Sequence, residues 1–338
     1  MARTLNIAVL GATGLVGRTF FRILEERDFP VGELRALASE RSEGRTVPFK
    51  GAQIPVHAAK PESFEGIDLA FFCVDDDISR EMAPIAARAG AVVIDKSNAW
   101  RMNPDVPLVV PEVNPEDTRL HEGIIAGPNC TTIQMVVALA PIHQVNPITR
   151  IIVDSYQSVS GAGTAAVEEL DAQNRALVND EPVEVSALPH QIALNVLPHI
   201  GGFSENGYCS EEIKLVNETR KIMHAPDIAV SATTVRVPVH IGHSEAVHVE
   251  LTEPMTAADV RDILSRAPGV AVIDNPAQAE YPLALDAEGR DEVFVGRIRR
   301  DISHPQGIAM WIVSDNLRKG AALNAVQVAE LMMEQGLF

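Results

Sequence analysis

The sequence predicts an α/β chain: a Rossmann-type doubly wound parallel sheet, followed by an α+β region whose sheet is mixed and largely antiparallel. Three observations predict it. Over the first third, short apolar runs alternate with helical patterns, the mark of parallel strands joined by crossover helices. From residue 149 the strands lengthen and alternate apolar with polar residues, as in a sheet covered by helices on one side. A glycine-rich turn, GATGLVG at 11–17, stands between the first strand and the first helix. There a backbone can turn tightly and bring a pyrophosphate to the positive end of a helix.

In chain order, residues 5–10 read as a buried strand, and 15–27 place Leu15, Thr19, Ile23 and Leu24 at helical spacing. Strands are expected at 33–38, 68–74 and 91–95, with a helix at 79–89 and the last strand of this sheet at 124–126. The second region carries strand patterns at 151–159, 228–239, 246–252, 293–300 and 308–314, and helical ones at 164–178, 211–221 and 257–266. With helices on one face of that sheet, the other face is expected to meet a second subunit. The final helix, 317–333, is expected to return to the first domain. The domains are therefore expected at 1–129 with 317–338, which carries the glycine-rich turn, and at 130–316, whose sheet is expected to meet a second subunit.

Composition excludes several classes. The 338 residues are 46% hydrophobic and 22% charged, as in globular proteins. A formal net charge of −18 speaks against nucleic acid or an anionic membrane as partner, since both demand a basic surface. Apolar runs such as 135–141 fall far short of the ~20 residues that cross a bilayer. The amino terminus shows no charged stretch, apolar core and cleavage site in order, so a cytoplasmic protein is expected. Three cysteines, Cys73, Cys130 and Cys209, make an odd count without paired spacing, which suits a reducing compartment. His190 and His199 lie among Pro and Gly with no carboxylate or cysteine at ligand spacing, so no metal site is expected.

The turn spaces Gly11, Gly14 and Gly17 as G-x-x-G-x-x-G. The second strand ends Ala38-Ser39-Glu40-Arg41-Ser42. Arg41 between hydroxyls suits a 2′-phosphate and favours NADP, whereas Glu40 is the type of residue that holds the ribose of NAD. Cys130 stands in GPNCTTIQ at 127–134, at or next to a helix start, where the helix dipole favours a thiolate. Cys73, in FFCV, and Cys209 read as structural thiols. In RVPVHIGHSE, 236–245, Arg236 lies on a strand and His243 follows a turn, a guanidinium and an imidazole suited to a carboxylate and a proton.

Seven motifs in order resemble the aspartate-β-semialdehyde dehydrogenase family nearly end to end: GATGLVG, SERS at 39–42, GPNCTTIQ, YQSVSGAG at 156–163, EEIK at 211–214, RVPVHIGHSE, and SDNLRKGAALNAVQ at 314–327. The resemblance implies NADPH-dependent reduction of 4-phospho-L-aspartate to L-aspartate 4-semialdehyde and phosphate through a thioester, in amino-acid biosynthesis. It implies Cys130 as nucleophile, His243 as acid/base and Gln157 as the residue that orients substrate. Arg236 is implied to bind the α-carboxylate, Glu211 the α-amino group, and Arg101 and Lys214 the phosphate, with Asn129 nearby. For NADP it implies Gly11, Thr13, Gly14, Leu15 and Val16, then Ser39, Arg41 and Ser42, and finally Ser160, Gly161 and Asn316. It also implies a homodimer or a homotetramer.

These residue types answer the substrate's phosphate, carboxylate and ammonium in turn. Taken singly, Glu211 and Lys214 read equally well as an i,i+3 helix pair, worth a few tenths of a kcal/mol. Rival readings are an N-acetyl-γ-glutamyl-phosphate reductase, whose substrate lacks the ammonium that Glu211 would meet, a thiol-dependent hydrolase, and an NADP-binding relative without chemistry.

Overall fold

The computed structural model describes residues 3–338. The chain divides into two compact units, one running to Asn129 and resumed at Ala321–Phe338, the other Cys130–Gly320. The return to the first unit thus comes after Gly320 rather than at Leu317.

The first unit runs β1 (Leu5–Leu10), α1 (Leu15–Glu26), β2 (Val31–Ala38), β3 (Thr46–Phe49), β4 (Ala52–Ala58), β5 (Leu69–Phe72), α2 (Asp76–Arg88), β6 (Val92–Asp95) and β7 (Ile124–Ala126). Its seven-stranded sheet has the order β3-β4-β2-β1-β5-β6-β7. Every pairing is parallel except β3 with β4. The sequence LNIAVL explains why β1 is central. Leu5, Ile7 and Val9 enter one core with Phe20, Phe21 and Leu24 of α1, while Ala8 and Leu10 enter a second with Ala83 and Ala86 of α2. A strand apolar on both faces is what a doubly wound sheet requires. The Phe20 and Phe71 rings stack with centroids 4.5 Å apart, and each such fully buried side chain contributes about 1.5–3 kcal/mol. Residues 323–334 form the closing helix, which buries Val326, Ala329 and Met332 in the first of these cores.

The second unit contains α3 (Cys130–Val145), β8 (Ile148–Gln157), α4 (Thr164–Val178), α5 (Ser210–Ile222), β9 (Ala229–Arg236), β10 (His243–Leu251), α6 (Ala257–Ser265), β11 (Val270–Val272), α7 (Ala284–Ala287), β12 (Val293–Arg300) and β13 (Gly307–Ser314). They form a six-stranded sheet ordered β11-β12-β13-β10-β8-β9. The pairs β12/β13, β13/β10 and β10/β8 are antiparallel, and the outer pairs β11/β12 and β8/β9 are parallel. The sheet is therefore mixed, as the alternating strands suggested. Helix α3 is apolar all round, and residues 131–140 are buried without a break. Such a helix is central rather than amphipathic, and within the unit it packs on α5, α6 and the sheet. The sheet's opposite face carries the half-buried Trp311 and the exposed Tyr156, rings 5.6 Å apart.

Several element boundaries shift, three of them at the site. Strand β10 begins at His243, not at 246, so the imidazole is part of the ladder, opposite Ser314. Strand β9 stops at Arg236, because Pro238 has no N–H to continue it. The closing helix starts with a π turn at Arg318–Ala322 rather than regular helix from 317.

Candidate active site

In the first unit the glycine turn is built for close backbone approach. Gly11 has φ +89°, and a Cβ there would lie 2.2 Å from the Cys73 carbonyl oxygen. A Cβ on Gly17 would lie 2.2 Å from the Gly11 carbonyl oxygen. Neither position admits a side chain. Gly14 caps α1 in extended conformation without a side-chain hydrogen bond, and no acid occupies the first turn. The N–H groups of that turn keep an uncompensated positive end, the environment a pyrophosphate takes. At the end of β2, Ser39 precedes a short turn of Glu40–Ser42. Arg41 and Glu40 are both exposed there, and Thr13 Oγ1 stands 3.4 Å from Ser42 Oγ. The site thus fits a dinucleotide. Arg101 is buried and donates from Nη2 to the Lys96 carbonyl at 2.9 Å, while Asn129 is buried in the loop whose Pro128 carbonyl receives Lys96 Nζ at 2.8 Å.

In the second unit, Cys130 is the first residue of α3 and only partly buried. The π turn gives the reason for Gly320: a Cβ there would come within 2.9 Å of Cys130 Cβ. Arg236, at the end of β9, is 5% exposed and donates from Nη1 to the Ser158 carbonyl at 2.7 Å. Burial pulls its pKa down, and the charges of Glu211 and then Cys130 oppose that pull, so the thiol, the guanidinium and the carboxylate share one electrostatic neighbourhood. Glu211, in the first turn of α5, is buried and pairs with Lys214 Nζ at 3.1 Å. The i,i+3 pair is real, and it does not use up Glu211, whose charge also reaches Arg236 and His243. Gln157 ends β8 beside Arg236 in the ladder and donates from Nε2 to Ser155 Oγ at 3.2 Å.

His243 is fully buried. Its Nδ1 accepts the Ser158 backbone N–H at 3.1 Å, with the Ser158 hydroxyl also at 3.1 Å. An N–H donor on Nδ1 assigns the neutral ring its proton on Nε2, and Nε2 meets no protein partner among the described residues. Burial first, and the Arg236 charge second, lower the imidazole pKa to about 3. The unfolded chain takes up this proton near the ordinary value of 6.5, the folded chain only near 3, so His243 lowers stability as pH falls through that window. Over that window the loss is expected to reach a few kcal/mol. Denaturant unfolding between pH 7 and pH 4 checks it, since His243→Gln, which cannot titrate, is expected to flatten this part of the pH dependence.

Asn316 sits at the centre of the loops around His243. Its Oδ1 accepts from Gly242 N at 2.9 Å, Ser158 Oγ at 3.0 Å and Ser160 Oγ at 3.3 Å, and its Nδ2 donates to Ser160 Oγ at 2.9 Å. Asn316 and Ser160, expected at the nucleotide, are thus first of all the struts of this loop. Gly161 lies over the chemistry, for a Cβ there would be 2.9 Å from Arg236 Nη1 and 3.2 Å from His243 Nε2.

The second unit therefore gathers Cys130, Gln157, Glu211, Lys214, Arg236 and His243, together with Ser160, Gly161 and Asn316. The glycine turn, the Ser39–Ser42 stretch, Arg101 and Asn129 belong to the first unit. Sequence reasoning passed over Ser158, which fixes the His243 tautomer, and Gly320, which makes room for Cys130. Both lie inside quoted motifs, YQSVSGAG and SDNLRKGAALNAVQ, where their own positions carried the signal. Among the described residues no group of three or more His, Cys, Asp or Glu side chains is arranged to hold a metal, and no helix is long and apolar enough to cross a membrane.

The chain is similar to known proteins along its whole length. Residues 6–121 match the semialdehyde dehydrogenase NAD binding domain, and residues 139–319 the semialdehyde dehydrogenase dimerisation domain. The aspartate-semialdehyde dehydrogenase of Aquifex aeolicus is 56% identical over 98% of this chain and 99% of its own. That of Legionella pneumophila is 53% identical over 100% of this chain and 98% of its own. The structure of aspartate semialdehyde dehydrogenase II from Vibrio cholerae complexed with ASA superposes with a TM-score of 0.96 at 48% identity, covering 98% of this chain and 99% of that one. The Candida albicans enzyme, solved with NADP, gives a TM-score of 0.78 at 26% identity, covering 99% of this chain and 100% of that one. With this identity along its whole length, the chain belongs to the aspartate-semialdehyde dehydrogenase family.

Proposed function

We propose that this chain uses NADPH to convert 4-phospho-L-aspartate into L-aspartate 4-semialdehyde and phosphate through a thioester on Cys130. One observation carries the reading: a thiol at the start of a buried helix shares its surroundings with a buried guanidinium, a buried carboxylate and a neutral imidazole. Such a set suits an amino-acid acyl phosphate. Arg236 takes the α-carboxylate and Glu211 the α-ammonium, the charge pattern that the acetylated substrate of the rival reductase does not present. Arg101 and Lys214 take the phosphate.

The chemistry follows from these groups. The Cys130 thiolate, favoured by the helix start and the Arg236 charge, attacks the acyl carbon. A C–S bond forms, and the C–O bond to phosphate breaks with its electron pair leaving on phosphate, which takes the one proton the reaction consumes. The Gly11–Gly17 turn, with Arg41 and Ser42 toward a 2′-phosphate, would hold NADPH, which would supply the hydride that reduces the thioester. Gln157 orients the thioester carbonyl for reduction, and His243 offers its Nε2–H to the oxyanion of the resulting thiohemiacetal. A neutral, preorganised donor in a water-poor site stabilises such an oxyanion by a few kcal/mol. Collapse breaks the C–S bond, releases the aldehyde and restores the thiolate. The enzyme acts in the cytoplasm as a homodimer, a reading supported by the match to a dimerisation domain and by the Tyr156–Trp311 face of the second sheet.

A reverse assay tests the activity: aspartate semialdehyde and NADP+ are expected to give NADPH only when phosphate is present. NADPH formation that is indifferent to phosphate would contradict the acyl-phosphate chemistry. Cofactor choice has its own test. Arg41→Ala is expected to lower kcat/KM with NADPH by about tenfold or more while leaving NADH nearly unaffected. Equal losses with both nucleotides would assign Arg41 no part in 2′-phosphate recognition.

A further inference from the structure

The proposed chemistry leaves one buried titratable group unused. Glu245 is fully buried on β10, two residues after His243 and on the same face of the strand. Its ladder partners are Ser155 of β8 and Ile312 of β13. Neither carboxyl oxygen has a hydrogen-bond partner among the described residues, and neither has Nε2 of Gln134. Gln134, also fully buried, lies on α3 one turn after Cys130, and its Oε1 accepts from Ser314 Oγ at 2.7 Å. Ser155, on the other side of Glu245, accepts from Gln157 Nε2 at 3.2 Å. A row of polar side chains thus runs beneath the site, from Ser314 through Gln134 to Ser155 and Gln157, with Glu245 at its middle.

An ionised carboxylate here, with no cation beside it, would carry a heavy desolvation cost. Burial holds the Glu245 pKa well above the usual carboxylate range, and the Gln134 side chain is the group that acts on it in the opposite sense. A protonated carboxyl and a primary amide are complementary, each with one donor and one acceptor to give the other.

We propose that Glu245 is a positioning residue: a neutral carboxylic acid that pairs with the Gln134 amide and so fixes the Cys130 turn of α3 against the strands that carry His243 and Gln157. The proposal rests on the reading of Cys130 as nucleophile. Supporting groups that lock the geometry of reacting ones are worth large factors in rate although they touch no substrate.

The experiment compares Glu245→Gln, which keeps a donor and an acceptor, with Glu245→Met, which keeps volume alone. For each, kcat and KM are measured, together with the iodoacetamide alkylation rate of Cys130 in the cofactor-free protein. The glutamine variant is expected to stay within about threefold of the parent in kcat and alkylation rate. The methionine variant is expected to lose about tenfold or more in kcat at little-changed KM, with an altered alkylation rate. Infrared spectra at neutral pH should show a protonated-carboxyl carbonyl band in the parent that is missing from Glu245→Gln. The proposal is overturned if glutamine is as damaging as methionine, if methionine is harmless, or if that band is missing from the parent. The band tests Glu245 without reference to turnover. Cys130→Ser assayed alongside tests the nucleophile by itself, so the two readings fail separately.

Discussion

Cys130→Ser is expected to lose turnover by about a thousandfold or more while folding normally and binding NADPH. The hydroxyl fits where the thiol sits, and the half-buried side chain makes few packing demands, so the loss is chemical. A serine has no adjacent base to activate it: the nearest imidazole, His243, holds its proton on Nε2 and takes the Ser158 N–H on Nδ1. An oxygen ester would also accept hydride less readily than a thioester. Steady-state assays with and without phosphate, and NADPH binding followed by fluorescence, separate chemistry from folding. Serine-variant turnover near the parent value would refute covalent catalysis.

Arg236→Lys has the second largest expected effect, a loss of about a hundredfold or more in kcat/KM for the amino-acid substrate, with nucleotide binding little changed. The guanidinium has two tasks at once. One arm is committed to the Ser158 carbonyl at 2.7 Å, on the segment that also fixes His243. The rest of the fork remains for a carboxylate, in charge contact with Cys130 and Glu211. An ammonium is a point charge and cannot hold the carbonyl and a bidentate carboxylate together. Both KM and kcat are expected to suffer, because binding and the neighbourhood of the thiol change together. A variant kinetically equal to the parent would remove Arg236 from substrate recognition.

Much of this architecture could be read from the chain, because local signals and tertiary demands agree there. LNIAVL is apolar on both faces, and the structure buries both. GATGLVG follows it, and two of its glycines prove to have no room for a Cβ. Where tertiary pairing decides, the sequence was silent. Strands β3 and β4 escaped notice because Pro48 and Pro55 interrupt them, and prolines demote a strand pattern. Both are tolerated in a short antiparallel pairing at the sheet edge, with Thr46 opposite Pro55 and Pro48 opposite Gln53. The start of α2 at Asp76 was equally hidden, because Asp76 and Asp77 add no apolar residue to the helical pattern and gain their role from the dipole at its first turn. The candidate site follows the same division. Cys130, His243 and Arg236 stand out by residue type and motif. Ser158, Gly320 and Glu245 act through neighbours distant in sequence, so their meaning appears only once β8, β10 and α3 are brought together.

The covalent step has a direct test. The protein is mixed with 4-phospho-L-aspartate without NADPH, quenched in acid and examined by intact-mass spectrometry and peptide mapping. The expected result is one aspartyl group per chain, released by hydroxylamine and located on the peptide that contains Cys130. Aspartyl label confined to other residues, or an unmodified Cys130 in a preparation that turns over normally once NADPH is added, would contradict it.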